Sequence, residues 1–503
     1  MRIIQVIPSL ALVLPQCFLT CEAQDLSGIK TELSKMNEET TIKGHWWLSE
    51  KPEKQLVGEI TYGPTNGAKL SVLGHFLHED FPSFKDATSV HFTVCGITAG
   101  GKLVSLFACR ITNSNRNLHG LGGTEISSSF GVVGGHFDSP SQMKFAKVTA
   151  ELTHLHDWAW MSGIKMARKG SGNGWQVTQE IPPDVPIGSF GNFTLSLKFS
   201  GQITPGYGDW KLTEECVLSV EAQTITTYES FLDLIFKFQS FVALGVSRPV
   251  YPISLKARLD KPEQIAEGLS VYEEFEIIQD ITVSVKSKER LKPHEMQFCL
   301  EDLKPDKTKF IKRFFDKHQL LEPVCSLYFS ALYKPDMYVN QRFLALAHAI
   351  EAYHRAFVGG KYQSNEDYRD GLQKVLWDAI PQDIDRDFRA SLKNKLRYLH
   401  EFSLRKRLQD IYGTFSAVLQ PFLGELTQFA GAVADERNLL THPDSTAEEP
   451  PPKTDWTGVW LKAEQLSLLL EVCLLNEIGF DEQAISALLP RNRRAIAIQL
   501  NRK

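Results

Sequence analysis

Residues 437–442 read Arg437-Asn438-Leu439-Leu440-Thr441-His442. A permanent cation, a polar amide and a titratable imidazole thus fall within six residues. Arg437 stays charged at any workable pH and can grip a phosphate through two parallel hydrogen bonds. His442 is of the one residue type whose ordinary pKa lets it give and take protons near neutrality. Such a set suits cleavage of RNA without a metal, because RNA brings its own nucleophile, the 2′-hydroxyl. The site then needs only proton transfer and charge stabilisation.

The elements that position these groups can be inferred from spacing. At roughly 100° per residue, Arg437 and His442 stand about 140° apart on an ideal helix, so they do not share one narrow face. Pro443 follows His442, and a residue before proline is driven out of the helical region. The helix is therefore expected to unwind at His442, which could then swing back toward Arg437. The plainer reading is a helix end whose last turn carries cations favoured by the macrodipole.

Other segments lift the motif above that plainer reading. Residues 343–355 run Phe-Leu-Ala-Leu-Ala-His-Ala-Ile-Glu-Ala-Tyr-His-Arg, and residues 401–408 form a polar, basic stretch, Glu-Phe-Ser-Leu-Arg-Lys-Arg-Leu. Near the start stand Gly44-His45-Trp46-Trp47-Leu48-Ser49-Glu50-Lys51-Pro52 and Gly58-Glu59-Ile60. Over roughly residues 36–490 the chain resembles the ApeA-like HEPN proteins of anti-phage defence, with Ser49 where the family pattern has Pro. The resemblance implies a helical HEPN bundle that pairs its motif helices across a two-fold axis, giving a homodimer or a higher oligomer. Each groove would hold two Arg437 and two His442 side chains. Arg437 would neutralise the scissile phosphate, His442 would move protons, and Asn438 would hold the loop or a phosphate oxygen. The product would be a 2′,3′-cyclic phosphate, with no metal or cofactor. It also implies a cytoplasmic, toxic ribonuclease for abortive infection, restrained by its N-terminal half until a phage-derived trigger arrives.

Glu351 and His354 lie one turn apart on an otherwise apolar helical stripe. An imidazole there must find a partner. The pair is expected either to satisfy itself in the core or to orient Arg437 or His442.

The bulk numbers set bounds. A chain of 503 residues is too long for one core and is expected to divide into two or three domains. Hydrophobic content of 43% and charged content of 23% are those of a globular protein. A net charge of −5 excludes a protein that coats nucleic acid by bulk electrostatics. RNA contact must come from local patches, for which Lys393, Lys395 and Arg397, then Arg405, Lys406 and Arg407, then Arg491, Arg493, Arg494, Arg502 and Lys503 are candidates. Singly, each reads better as a solvated face or a loose basic tail. The eight cysteines form no CxxC pair and read as buried thiols of a reducing compartment. No stretch after the first residues is long and apolar enough to span a bilayer.

Residues 1–35 admit two accounts. Met1-Arg2 and the apolar run Ile3 to Leu14 imitate a signal peptide, and Asn192-Phe193-Thr194 would then be a glycosylation sequon. Alternatively Met36 is the true start, which suits a cytoplasmic enzyme better.

Period-two alternation from about Trp46 to Val285 predicts half-buried strands, for instance Val90/Phe92/Val94, Leu195/Leu197/Phe199 and Ile281/Val283/Val285. Asn66-Gly67 predicts a hairpin between Glu59–Tyr62 and Lys69–Leu73. The glycine-rich stretches at Gly120–Gly123 and Gly170–Gly174 read as loops. One helix, Phe231–Leu244, follows a capping box of Thr226 and Glu229 and is apolar nearly all round, hence buried. Past Lys304 the period turns helical, with long segments at Asp383–Phe402, Phe415–Arg437 and Trp456–Ile478. His154 and His156 have HxH spacing, but without a supporting carboxylate–His cluster they read as ordinary strand histidines; His75 and His78 are a weaker case.

The expected fold is α+β and multidomain: a leader at 1–35, an antiparallel β-rich sandwich or barrel at 36–304 that regulates or senses, an all-α HEPN bundle at 305–490, and a basic tail at 491–503. The expected function is a metal-independent HEPN endoribonuclease. The competing functions are a catalytically silent HEPN scaffold and a secreted, lectin-like β protein.

Overall fold

The computed structural model describes residues 39–63, 67–76, 91–115, 122–170, 174–207, 210–266, 269–280, 290–441 and 455–501. The leader, His78, Val90, Ile281, Val283, Val285, His442, Pro443, Arg502 and Lys503 lie outside them.

The first half is β-rich. Its strands are β1 (Thr40–Leu48), β2 (Lys51–Gly63), β3 (Gly67–Leu73), β4 (Phe92–Thr98), β5 (Leu103–Asn115), β6 (Gly123–Ser128), β7 (Phe130–Val133), β8 (Lys144–Leu152), β9 (Ile164–Lys169), β10 (Gly174–Gln179), β11 (Val185–Phe190), β12 (Phe193–Pro205), β13 (Trp210–Thr227), β14 (Pro252–Ala266) and β15 (Leu269–Gln279). One sheet runs β11-β12-β13-β8-β14-β15-β7-β5-β4-β1-β2-β3-β6, and an additional β5–β6 pairing closes its far end into a barrel of six strands. Closure leaves that end without a free edge. Trp46 fills the barrel core with Ile60, Leu70, Val94, Leu106 and Ile126. It fits because Gly96 lies beneath its ring, where a Cβ would approach to 2.2 Å. The Asn66-Gly67 signal corresponds to the β2–β3 hairpin, with Gly67 at φ +59. β9 and β10 form a separate two-stranded ribbon.

Among the described residues two α-helices interrupt the strands: α1 (Leu155–Ala159) and α2 (Tyr228–Val246). His154 and His156 therefore lie on a helical turn, not a strand. His154 caps α1 at φ 59 and bonds Asp157 at 3.1 Å, while His156 bonds the Met161 carbonyl at 2.9 Å. α2 begins one residue later than the capping box implied, with Thr227 at its cap in extended geometry; the Thr227 hydroxyl meets Ser230 at 3.2 Å. α2 packs on two sides, while Glu229, Asp233 and Phe236 remain exposed. Phe231 packs edge-on to Phe193 of the sheet at 5.1 Å, and Phe241 to Phe314 of the helical half at 5.5 Å. The open part of the sheet, α2 and the helical half thus share one continuous core.

The second half is helical: α3 (Lys307–Tyr333), α4 (Val339–Phe357), α5 (Asn365–Tyr368), α6 (Lys374–Asp378), α7 (Arg386–Leu396), α8 (Leu404–Thr414), α9 (Ser416–Leu423), α10 (Leu426–Thr441), α11 (Trp456–Ile478), α12 (Glu482–Leu488) and α13 (Arg493–Asn501). The two longer segments expected around it are shorter in the structure. Asp383–Phe402 holds only α7 as regular helix, because Asp385 caps it late by accepting from Asp387 and Phe388 N–H. Phe415–Arg437 divides at Gly424, whose φ of +86 breaks the chain between α9 and α10. α11 matches the expected Trp456–Ile478 and is buried along most of its length.

Among the described residues of the basic tail, three arginines are paired. Arg491 pairs with Asp302 at 2.9 Å, Arg493 pairs with Glu295, and Arg494 pairs with Glu464 and, at 3.1 Å, with Glu471. Carboxylates brought close by the fold take up cations that looked free in the linear chain.

Candidate active site

α10 carries Arg437 and Asn438 in its last turns. Its first turn is held by Glu425, whose carboxylate accepts from Thr427 N–H at 3.0 Å and Gln428 N–H at 2.7 Å. Those bonds, with one from the Thr427 hydroxyl, hold the Glu425 carboxyl below its ordinary range. Phe429, Ala430, Val433 and Ala434 form the buried stripe of the helix. Arg437 falls one turn beyond Val433 and so prolongs that stripe instead of facing away from the core. The position is half-buried, and the Arg437 Nε is buried with no hydrogen-bond partner among the described residues. Among the described residues its Nη1 donates to Asn438 Oδ1, at 3.4 Å. The guanidinium is thus buried at its neck, without a partner there among the described residues, and carries further donors at its other end. The Thr441 hydroxyl donates to the Arg437 carbonyl at 2.8 Å and the Asn438 carbonyl at 3.3 Å, satisfying acceptors that a helix end would leave open.

Neighbouring helices fix α10 sideways. Glu436 accepts from Lys462 of α11 at 2.9 Å, and Asp435 from Arg405 of α8 at 2.9 Å. Both anchors immediately precede Arg437, so they set its rotation about the helix axis.

His354 does not form the expected pair with Glu351. It points from α4 to α8, where Nε2 meets Asp410 Oδ2 at 3.2 Å and Nδ1 meets Arg407 Nη1 at 3.1 Å. The reason is the length of Arg407, which enters the core, only 1% exposed. Its Nε donates to the Phe402 carbonyl at 3.0 Å and its Nη2 to the Gly360 carbonyl at 3.4 Å. Gly360, at φ +124, makes room: a Cβ there would lie 2.3 Å from Arg407 Nη1. Burial is the largest influence on both groups, lowering the His354 pKa and lowering that of Arg407. A neutral His354 that donates from Nε2 to Asp410 and accepts at Nδ1 from Arg407 satisfies both bonds, and the Gly359 carbonyl, 3.3 Å from Nδ1, then accepts from Arg407 Nη1 at 3.5 Å. Glu351 is half-buried, and its charge favours the Arg407 cation. The expected site residues therefore fall into two places: Arg437 and Asn438 at the end of α10, Glu351 and His354 at the α4–α8 junction. No hydrogen bond of His354 goes to Arg437. Asp410, Glu436 and Lys462 carried no signal in the sequence, and Arg407, expected in a basic patch for RNA, is instead turned inward by the fold.

No group of three or more His, Cys, Asp or Glu side chains among the described residues is placed to hold a metal ion. The cysteines at 95, 109, 216, 299, 325 and 473 are free and buried. Burial pushes the Cys109 and Cys325 thiols up to about 12. They are not nucleophiles at neutral pH.

Residues 41–314 match ApeA N-terminal domain 1, and residues 344–484 match the ApeA-like HEPN domain. The chain belongs to the ApeA-like HEPN family. It is a HEPN-type anti-phage defence protein, and Arg437 and Asn438 stand inside the HEPN match. The HEPN match begins in α4 and ends in α12, so the α4–α8 junction lies in it as well. No curated protein and no solved structure matches the chain. No helix among the described residues is long and apolar enough to cross a membrane.

Proposed function

We propose that the protein is a metal-independent endoribonuclease that kills or arrests the infected cell. The observation that carries this reading is the half-committed Arg437 guanidinium at the end of α10, inside a HEPN region. Its further donors can take a phosphate in two parallel hydrogen bonds. His442, five residues on, acts as the proton carrier. The 2′-oxygen attacks phosphorus as its proton passes to a general base. The bond to the 5′-oxygen breaks and that oxygen receives a proton, leaving a 2′,3′-cyclic phosphate and a 5′-hydroxyl. Asn438 holds Arg437 or a phosphate oxygen.

HEPN domains commonly dimerise and bind RNA. In the proposed assembly two copies of α10 face each other across a two-fold axis and form one composite groove. Glu351 and His354 act at a distance, bracing α8, which in turn holds α10 through Arg405 and Asp435. The β half, residues 36–304, restrains the helical half, residues 305–490, until a phage-derived trigger binds in the cytoplasm. Support for such restraint is the shared core running through α2.

Expression of Arg437→Ala and His442→Ala chains, with mapping of RNA ends in cells, tests the proposal. Each substitution is expected to abolish cleavage and toxicity while the protein stays folded. A His442→Ala protein that remains toxic and cleaves at full rate would overturn it.

A further inference from the structure

The β9–β10 ribbon is unlike the rest of the β half. Its register pairs Arg168 with Trp175, Met166 with Val177 and Ile164 with Gln179, and cross-strand partners share a face. On that face Met166 is 65%, Trp175 60% and Val177 45% exposed. A two-stranded ribbon with its apolar face in water is marginal alone. Here it is clasped at its base to the β12–β13 ribbon. Glu214 Oε2 accepts from the Ser162 hydroxyl at 2.6 Å, Glu214 Oε1 from Gly163 N–H at 2.7 Å, and Gln179 Nε2 donates to the Thr213 carbonyl at 3.1 Å. The β12–β13 ribbon likewise exposes Ile203 and Trp210, the latter by 68%.

The charge of the ribbon selects among partners. From Gly163 to Gln179 the chain holds Lys165, Arg168 and Lys169 and no Asp or Glu. Lys165 is turned partly toward Glu180, at 3.7 Å. Arg168 lies over the Trp175 ring, 5.8 Å from its centroid. Lys169 is exposed on the opposite face. The chain as a whole is acidic, net charge −5, so a local set of an exposed indole beside Arg168 with no carboxylate between Gly163 and Gln179 fits a flexible polyanion with flat apolar units. Single-stranded nucleic acid has that chemistry: bases stack on aromatic rings while phosphates meet Lys and Arg.

We propose that the β9–β10 ribbon is a docking surface for single-stranded nucleic acid, with Trp175 as the stacking platform and Arg168, on the same face, as the phosphate contact. The surface is separate from α10 and does not depend on the cleavage reading. It gives the β half a direct means of sensing or holding a strand.

The test uses the full-length chain carrying Arg437→Ala, so that bound strands are not cut. Binding of fluorescein-labelled 20-nucleotide oligo(U) and oligo(dT) is followed by anisotropy across a salt series. Trp175→Ala is expected to weaken binding roughly 5- to 150-fold, and Trp175→Phe to retain most of it. Arg168→Ala is expected to weaken binding and to reduce the salt slope by about 0.7, whereas Lys169→Ala, on the opposite face, is expected to change binding little. Exposed side chains leave melting unchanged, so a lost fold would not imitate the result. Unchanged oligonucleotide binding in Trp175→Ala and Arg168→Ala would overturn the proposal. So would binding of phosphatidylserine vesicles but not oligonucleotides, or a Trp175→Ala effect confined to oligomeric state.

Discussion

Arg407 donates through Nη1 to His354 Nδ1 at 3.1 Å, in a core where neither side chain meets solvent. The bond requires a neutral imidazole. Asp410, Lys406, Glu401, Arg355 and Glu351 surround the pair. Because burial lowers the His354 pKa from 6.5, the unfolded chain takes up a proton that the folded chain resists. The stability tied to this group is therefore complete above pH 6.5 and is lost as pH falls below it toward the depressed folded value. One such group contributes at most about 1.4 kcal/mol per pH unit. His318, also lowered by burial, adds in the same direction. Melting temperature should fall with acidification from pH 6.5, and His354→Gln should flatten that slope. An unaltered slope in the variant would refute the assignment.

Gly360→Ala should destabilise the helical half by about 1–3 kcal/mol, since it combines a positive φ with a clash against Arg407. Denaturant titration measures the loss. If the Arg407 side chain is what matters, Arg407→Met should rescue part of it, because the methionine chain is flexible.

Glu471 is fully buried between the Tyr328 hydroxyl at 2.8 Å, Asn492 Nδ2 at 2.9 Å and Arg494 Nε at 3.1 Å. Burial and the Glu471 charge raise the Tyr328 pKa, keeping its hydroxyl a donor. Glu471→Leu should cost roughly 1–3 kcal/mol, because the Tyr328 hydroxyl, Asn492 Nδ2 and Arg494 Nε lose their buried acceptor while Arg494 keeps Glu464. Hydrogen exchange should show α13 opening first. Equal protection of α13 in variant and parent would contradict this latch.

Activity should require the dimer. Mixing Arg437→Ala subunits with His442→Ala subunits should restore some cleavage if each groove needs one arginine and one histidine. If all four side chains are needed, mixed dimers stay inactive and each mutant poisons the wild type. An isolated monomer that cleaves at the wild-type rate would exclude the composite groove.

Chelation with EDTA should leave cleavage unchanged, because the proposed chemistry uses only Arg437, His442 and the 2′-hydroxyl. Loss of cleavage that magnesium restores would point to a different mechanism.

The linear chain determined the features that depend on local pattern. Alternating residues such as Leu195 and Leu197 became strand β12, the Gly67 turn became a hairpin, and the apolar run at Phe231–Leu244 became a buried helix. Arg437 and Asn438 stand in the last turns of α10, as the helical spacing implied, and His442 lies outside the described residues. Tertiary structure decided what depends on partners distant in the chain. It closed a barrel through β5 and β6, which no local period encodes. It broke the helix at Gly424 and turned His154 and His156 onto α1. It separated Arg405, Lys406 and Arg407, neighbours on one helix, sending the first to Asp435, the second to Asp410 and the third into the core against His354. It also bound the tail arginines to Asp302, Glu295, Glu464 and Glu471. Charge in a sequence is a property of each residue, whereas its use is settled by the carboxylates and carbonyls that packing brings within hydrogen-bonding distance.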